Sequence, residues 1–285
     1  MMATTPRPVP ADTPADRPVL PVLLSRPYPA VMGVLNVTPD SFSDGGQFIA
    51  PEQALAQARR MIAEGADIID IGAESTRPYG SKPVPADEEL RRLRPILSEV
   101  VSLGVPVSID SMKSAVVAWA LDNGAAIAND VWGLQYDPDM APLLAARGSP
   151  VIVMHNRIKV DADIDIMKDI AAFFTRSLEI AAKAGVSRGN IVLDPGIGFG
   201  KTPQQSMTAL ARLDELSVFG LPLLVGASRK RFIASVTPSE PDQRLGGSIA
   251  AHLAAAKAGA NIIRTHDVWE TVQALRVAKA IWDRR

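Results

Sequence analysis

Short apolar runs recur along this chain, and nearly every one ends in a residue able to bind or catalyse. Residues 31–35 end in Asn36, and residues 68–71 lead into the segment from Gly72 to Pro78. Residues 105–109 end in Asp110, 125–128 in Asn129, 151–154 in His155 and 191–193 in Asp194. Residues 221–225 are followed by Ser228-Arg229-Lys230, and residues 260–263 by Arg264 and His266. Runs this short and apolar suit strands buried on both faces, as in parallel sheets. Eight of them, each tipped with functional groups, predict an α/β chain folded as a single-domain (β/α)8 TIM barrel with one active site at its mouth. The alternative is an open doubly wound sheet. Closure is favoured because only a closed barrel brings every polar tip to one place.

Helical patterns fill the intervals. Leu55, Ala58 and Ile62 fall on one face, with Gly65 as a C-terminal stop. Asp87, Glu88 and Glu89 sit where a helix N-terminus favours negative charge, and Leu90, Leu93 and Leu97 share a face. Pro95 imposes a kink or a late helix start there. Further helices are expected over 113–123, 138–147, 165–184, 204–216, 242–258 and 270–283, several of them stopped by Gly124, Gly148, Gly185 or Gly259. Residues 1–29 are rich in Pro and Ala and predict a flexible N-terminal arm, leaving 30–285 as the barrel.

The 285 residues suit one large domain, and 47% hydrophobic content is ample for a packed core. A net charge of −1 with no basic cluster argues against nucleic-acid binding. No cysteine is present, which excludes disulfides, thiol nucleophiles and thiolate metal sites. No apolar stretch approaches the ~20 residues needed to span a bilayer, and the first 30 residues hold no apolar core of the secretory kind. A cytoplasmic location and small-molecule partners are expected.

The run from Asp194 to Thr202, Asp-Pro-Gly-Ile-Gly-Phe-Gly-Lys-Thr, invites two nucleotide readings and fits neither. A GxxxxGK(S/T) phosphate loop needs Gly at 195, where Pro stands; a GxGxxG fingerprint needs Gly at 201, where Lys stands. What remains is a strand-end carboxylate followed by a glycine-rich turn that lets backbone approach a ligand. The segment from Asn36 to Gly46 is a polar loop whose amide and carboxylate oxygens suit either turns or a hard cation such as Mg²⁺. A second loop, Glu74 to Pro85, carries Arg77 and Lys82 and looks anion-directed.

Asp110, Asn129 and Asp194 form a polar triad at three strand ends. A strand-end Asp is often only a helix N-cap, but three such groups inside one barrel mouth are costly unless paired or ligand-bound. A heterocycle with an amidine-like N–H edge would satisfy them, because a carboxylate accepts two parallel hydrogen bonds. The cations of Ser228-Arg229-Lys230 and Arg264-Thr265-His266 follow strands seven and eight, the quarter where TIM barrels commonly hold phosphate. The mouth thus reads as acidic deep down and cationic at the rim. His252, within an Ala-rich helix, reads as structural or exposed; His155 either lines the site or holds a loop; Trp132 reads as packing.

These motifs resemble the dihydropteroate synthases, folate-pathway enzymes, over roughly residues 30 to 282. The resemblance rests on the run from Gly33 to Gly46, Ser75-Thr76-Arg77-Pro78, Ser108-Ile109-Asp110-Ser111 and Asn129-Asp130-Val131, then Met154-His155, the run from Asp194 to Lys201, Ser228-Arg229-Lys230 and Arg264 to Val268. It implies an enzyme that joins 6-hydroxymethyl-7,8-dihydropterin pyrophosphate to 4-aminobenzoate with release of pyrophosphate. It also implies Mg²⁺, a (β/α)8 barrel, a homodimer and a target of sulfonamides. By the same resemblance Asp110, Asn129, Met154, Asp194 and Lys230 hold the pterin. Asn36 holds Mg²⁺ and pyrophosphate, while Thr76, Arg77, Arg264 and His266 bind anionic oxygens. Phe42, Pro78, Phe199 and Lys230 surround the aminobenzoate, and Asp44 meets Arg77 when the two loops close.

The chain departs from the family pattern at Tyr79-Gly80, where Gly often follows Pro78, and at Arg231, where Ser is frequent after Lys230. Neither removes a group the chemistry needs. Two rivals share the pocket: a methyltetrahydrofolate–corrinoid methyltransferase, which has no use for a pyrophosphate site, and a non-catalytic paralogue that binds pterin without turnover.

Overall fold

A computed structural model describes residues 19–37, 51–74 and 84–284. The strands are β1 Ala30–Asn36, β2 Ile68–Gly72, β3 Val107–Asp110, β4 Ile127–Asp130, β5 Val151–Met154, β6 Ile191–Asp194, β7 Leu224–Val225 and β8 Ile262–Thr265. All pair in parallel, in the order β6-β5-β4-β3-β2-β1-β8-β7. A bridge between Leu193 and Leu223, where Leu193 N–H donates to Pro222 C=O at 2.9 Å, joins β6 to the segment entering β7 and closes the ring. The closed barrel forms, and the open sheet does not. β7 is shorter than its apolar run because Pro222 has no N–H to give to a ladder.

Every strand is buried, and its two faces serve different cores. Outward residues such as Val31, Ile69, Ile109, Val153 and Leu193 pack against the helical ring. Inward residues Met32, Ile68, Ile127, Ile152, Val192, Leu224 and Ile262 form a separate apolar layer low in the barrel. That layer is capped from below by α1, Val19–Leu24, whose Leu20 and Leu23 are buried against it. Burial of each leucine contributes about 2 kcal/mol. Part of the span expected to be an arm is therefore the floor of the barrel. The sequence signal was there, since Val19-Leu20-Pro21-Val22-Leu23-Leu24 is apolar, but the surrounding prolines masked it.

The outer ring comprises α2 Pro51–Ala63, α3 Ala86–Leu93, α4 Leu97–Val101, α5 Ser114–Asp122, α6 Met140–Arg147, α7 Ile166–Ala184, α8 Pro203–Ala211, α9 Arg231–Val236, α10 Leu245–Lys257 and α11 Val268–Trp282. Pro95 breaks α3 from α4, as its missing N–H requires. The helix expected over 204–216 ends at Ala211 and continues as a 3-10 segment, Leu213–Phe219. In α2 the buried stripe is Ala54, Ala58 and Met61, with Leu55 and Ile62 partly buried beside it. No described helix is long and apolar enough to cross a membrane.

Candidate active site

The pleat of the strands builds the site directly above the floor. Side chains two residues apart lie on one face. So Asp70 stands above Ile68, Asn129 above Ile127, Met154 above Ile152, Asp194 above Val192 and Arg264 above Ile262. One step up four of these five strands the barrel interior changes from hydrocarbon to polar or charged groups, Met154 alone staying apolar.

Arg264 ties this layer together. Its Nε donates to Asp70 Oδ2 at 2.6 Å, and its Nη2 donates to Asp110 Oδ2 at 2.8 Å. Asn129 Nδ2 donates to the same Asp70 oxygen at 3.2 Å. Burial pushes the Asp110 carboxyl up against the pull of Arg264, and the neighbouring Asp70 adds to the rise. Burial alone would lower the Arg264 guanidinium, but Asp70 and Asp110 outweigh it and hold the group above its ordinary value. The other oxygens, Asp70 Oδ1 and Asp110 Oδ1, are buried without a donor among the described residues. A buried acceptor left unmet costs about 1–3 kcal/mol, more when charged. The interior thus holds two carboxylate oxygens, both closed off from solvent, whose acceptor capacity is unmet among the described residues.

Asp194 completes the acidic set. Its Oδ1 accepts from Gly196 N–H at 2.7 Å. Burial pushes its carboxyl up to about 6, opposed by that N–H and by the charges of Lys230, Arg264 and Lys201. Beside it, Val131, Met154 and Phe199 make a small apolar cluster, with Met112 and Trp132 against it. Lys230 Nζ lies 4.1 Å from the centre of the Phe199 ring, a cation–π contact. A flat ring could lie on this wall while its edge meets Asp110, Asn129 and Asp194.

Across the mouth, His266 N–H donates to Ser228 Oγ at 3.2 Å, and its Nδ1 lies 3.0 Å from the same oxygen. His266 is exposed at the mouth, yet crowding by the protein around it, and then the charges of Arg264, Arg229 and Lys230, hold the imidazole below its ordinary value. Arg229 adopts φ +57°, uncommon for a residue other than Gly. Its N–H donates to Ser248 Oγ at 2.8 Å and its guanidinium Nε to Asp267 at 3.1 Å, which hold the turn that presents Lys230.

The glycine-rich turn has a packing reason. At Gly196, φ is +64° and an added Cβ would lie 1.9 Å from His155 O; at Gly200, φ is +57° and it would lie 2.4 Å from Arg157 Cβ. Behind this turn Lys201 is buried, not free to reach a phosphate. His155 is buried there too, so it holds the loop and does not line the cavity. His252 is buried with Nδ1 3.3 Å from Thr271 Oγ1, a structural place.

Asn36 ends β1, partly exposed. A Cβ added at Gly72 would lie 3.7 Å from Asn36 Oδ1 and 3.6 Å from Asp110 Oδ2, so position 72 stands in contact distance of both oxygens. One amide oxygen fits Mg²⁺, which keeps waters and substrate phosphates as its other ligands. Among the described residues no three His, Asp or Glu side chains are grouped as a metal cage. Phe42, Asp44, Thr76, Arg77 and Pro78 lie outside the described residues, as does Tyr79. The stems of the second loop are described: Glu74 accepts from Val84 N–H at 3.2 Å, and Lys113 bridges Glu74 and Glu89.

Sequence reasoning brought together Asp110, Asn129, Met154, Asp194, Phe199, Lys230, Arg264 and His266, and the structure gathers all eight at the mouth. It placed Arg264 among the rim cations, however, and the structure seats it lower, engaged with two carboxylates. It missed Asp70, although a carboxylate inside Ile68-Ile69-Asp70-Ile71 is a visible anomaly in a buried strand.

The chain matches the family model described as pterin binding enzyme over residues 32–266. It is 42% identical over 252 residues to the dihydropteroate synthase of Bacillus subtilis, covering 88% of each chain. It is 47% identical over 263 residues to a probable bifunctional folylpolyglutamate synthase/dihydropteroate synthase of Haloferax volcanii, covering 89% of this chain and only 31% of that longer protein. Among solved structures it resembles the dihydropteroate synthase of Xanthomonas albilineans in complex with 7,8-dihydropteroate. That match has a TM-score of 0.82 and 41% identity over 91% of this chain and 95% of the other.

Proposed function

The chain belongs to the pterin-binding enzymes and, within them, to the dihydropteroate synthases; on that premise we propose how its own residues carry the condensation of 6-hydroxymethyl-7,8-dihydropterin pyrophosphate with 4-aminobenzoate. The observation that carries this reading is the pair of donor-less buried oxygens, Asp70 Oδ1 and Asp110 Oδ1, beside Asn129 and Asp194. An aminopterin edge is rich in N–H groups and meets such acceptors as charge-assisted hydrogen bonds. Met154 and Val131 take one face of the ring. Phe199 and Lys230 form the wall against which the aminobenzoate stands, the surface for which sulfonamides compete.

The carbon–oxygen bond to pyrophosphate breaks with both electrons leaving on oxygen, and the methylene left behind is conjugated with the dihydropterin. Asp110 and Asp194 favour that developing positive charge electrostatically. His266 and Lys230 at the mouth, with Thr76 and Arg77 by family pattern, receive the leaving anion. The aniline nitrogen is uncharged and nucleophilic, so positioning against the methylene carbon suffices. Its proton leaves after attack, to pyrophosphate or water. Mg²⁺ held at Asn36 Oδ1 would offset charge on the pyrophosphate.

We also propose a homodimer. Trp269, Val277 and Ile281 are exposed on one side of α11, with Leu245 exposed on α10, and a second copy of this face would cover them.

Purified protein supplied with both substrates is expected to form dihydropteroate in equal amount to pyrophosphate, and to stop when Mg²⁺ is chelated. Tight pterin binding without product would overturn the reading in favour of the non-catalytic paralogue. Methyl transfer to cobalamin would favour the corrinoid methyltransferase.

A further inference from the structure

We propose that Lys201, which stands behind the active site, is a positioning residue that fixes the turn 196–199 and whose buried charge keeps Asp194 ionised for its ligand. The inference rests on the reading of Asp194 as a pterin acceptor. Lys201 is 5% exposed, and its ammonium is surrounded by acceptors: Gly196 C=O at 2.8 Å, Phe199 C=O at 3.1 Å and His155 Nδ1 at 2.6 Å.

A donor count fixes the protons. His155 Nε2 lies 2.9 Å from Asp169 Oδ2, and an ionised carboxylate only accepts, so Nε2 carries the ring proton and Nδ1 is bare. Burial and the neighbouring Lys201 hold that imidazole down to about 3, so it stays neutral. Three acceptors then face one nitrogen, and only the ammonium form has three N–H groups to satisfy them. Burial pulls Lys201 down to about 7, against Asp194 and Asp169. The three hydrogen bonds oppose that loss of charge further.

The contacts land where they matter. Gly196 supplies the N–H that Asp194 Oδ1 accepts, and Phe199 supplies the ring under Lys230. Lys201 therefore sets a carboxylate and an aromatic wall through one short turn. The Asp194 carboxyl is faced by the charges of Arg264 from β8, Lys230 from the start of α9 and Lys201 from its own loop, while neutral His155 meets Asp194 through its backbone, N–H donating to C=O at 2.9 Å. Removing one cation of three from a buried carboxylate raises the pH at which it protonates.

The test is a fluorescence titration of the full chain with 6-hydroxymethylpterin from pH 5 to 9, for the wild type and Lys201→Met. Wild-type affinity should fall as Asp194 protonates, and in Lys201→Met the midpoint of that fall should lie about one pH unit higher. A Lys201→Met profile with its midpoint unmoved, even if uniformly weaker, would overturn the proposal, because a purely structural role lowers affinity at every pH alike. If Lys201→Met does not fold, Lys201→Gln is read instead, with the same expected shift; it keeps donors for two acceptors and lacks the charge. A wild type that binds no pterin at any pH would instead remove the reading of Asp194 itself.

Discussion

Arg264 Nε donates to Asp70 Oδ2 at 2.6 Å, fastening a guanidinium from β8 to a carboxylate from β2 across the intervening β1. Both lie inside the barrel, and Asp70 is fully buried. Removing one member of a buried, hydrogen-bonded pair costs about 3–5 kcal/mol because the other is left charged in a poor solvent. Asp70→Asn is therefore expected to lower unfolding free energy by about 3 kcal/mol. It should also lower kcat/KM at least about tenfold, as Arg264 and Asn129 lose their common anchor. Urea unfolding and steady-state kinetics check this; an unmoved urea midpoint would refute the anchoring role.

Asp194→Asn keeps the shape and removes the charge. Hydrogen bonds to charged groups contribute about 1.5–3 kcal/mol, so pterin affinity should drop about 10- to 100-fold. The sign with pH follows from the raised carboxyl, about 6. In the wild type the acceptor is lost as pH falls through that value, so affinity declines on the acid side. In Asp194→Asn the share of that decline owed to Asp194 disappears, leaving only what protonation of Asp110, also raised by burial, contributes. Calorimetric titration at pH 5 and pH 8 separates the two.

Phe199→Ala removes the ring beneath Lys230 and opens the wall of the second substrate. The expected result is a KM for 4-aminobenzoate raised about tenfold, from a lost contact of roughly 1–2 kcal/mol. Pterin affinity should change less. A larger effect on pterin than on aminobenzoate would place Phe199 on the wrong substrate.

Gly196→Ala puts a methyl group onto His155 O, 1.9 Å from the ideal Cβ, at a backbone φ of +64°. Strain of this kind costs about 1–3 kcal/mol, and the collision adds to it. Thermal denaturation should show a lowered midpoint, together with weakened pterin binding from the displaced Asp194 contact. A midpoint equal to the wild type would mean the turn relaxes freely.

Ile281→Asp places a carboxylate on the exposed apolar side of α11, 61% exposed in the single chain. A charge buried in an interface of two copies is costly. Sedimentation should then show monomer where the wild type shows dimer, with the unfolding midpoint of the monomer little changed. A wild type that sediments as a monomer would dispose of the dimer altogether.

Strand positions were legible because a doubly buried strand admits little but apolar residues, and polar tips broke each run where the barrel opens. The site triad was legible for the same reason. Asp70 was not assigned, because it lies within a run and not at its end, and its meaning depends on Arg264, 194 residues away in sequence. Lys201 went unassigned for another reason: its segment fits no phosphate loop, and only the packed structure turns its ammonium inward. Asp169 and Asp267 carried no local signal, since a polar residue in or before a helix is ordinary until its partner is known. α1 was obscured because prolines around it argue for extended chain, whereas the hydrocarbon it covers comes from strands far along the sequence.

The leucines of α1 stopper one end of the barrel, and this fixes the order of traffic as well as the stability. On the proposed reading of the site, a pterin against Asp70 and Asp110 is then expected to enter before an aminobenzoate standing on Phe199 and to leave after it.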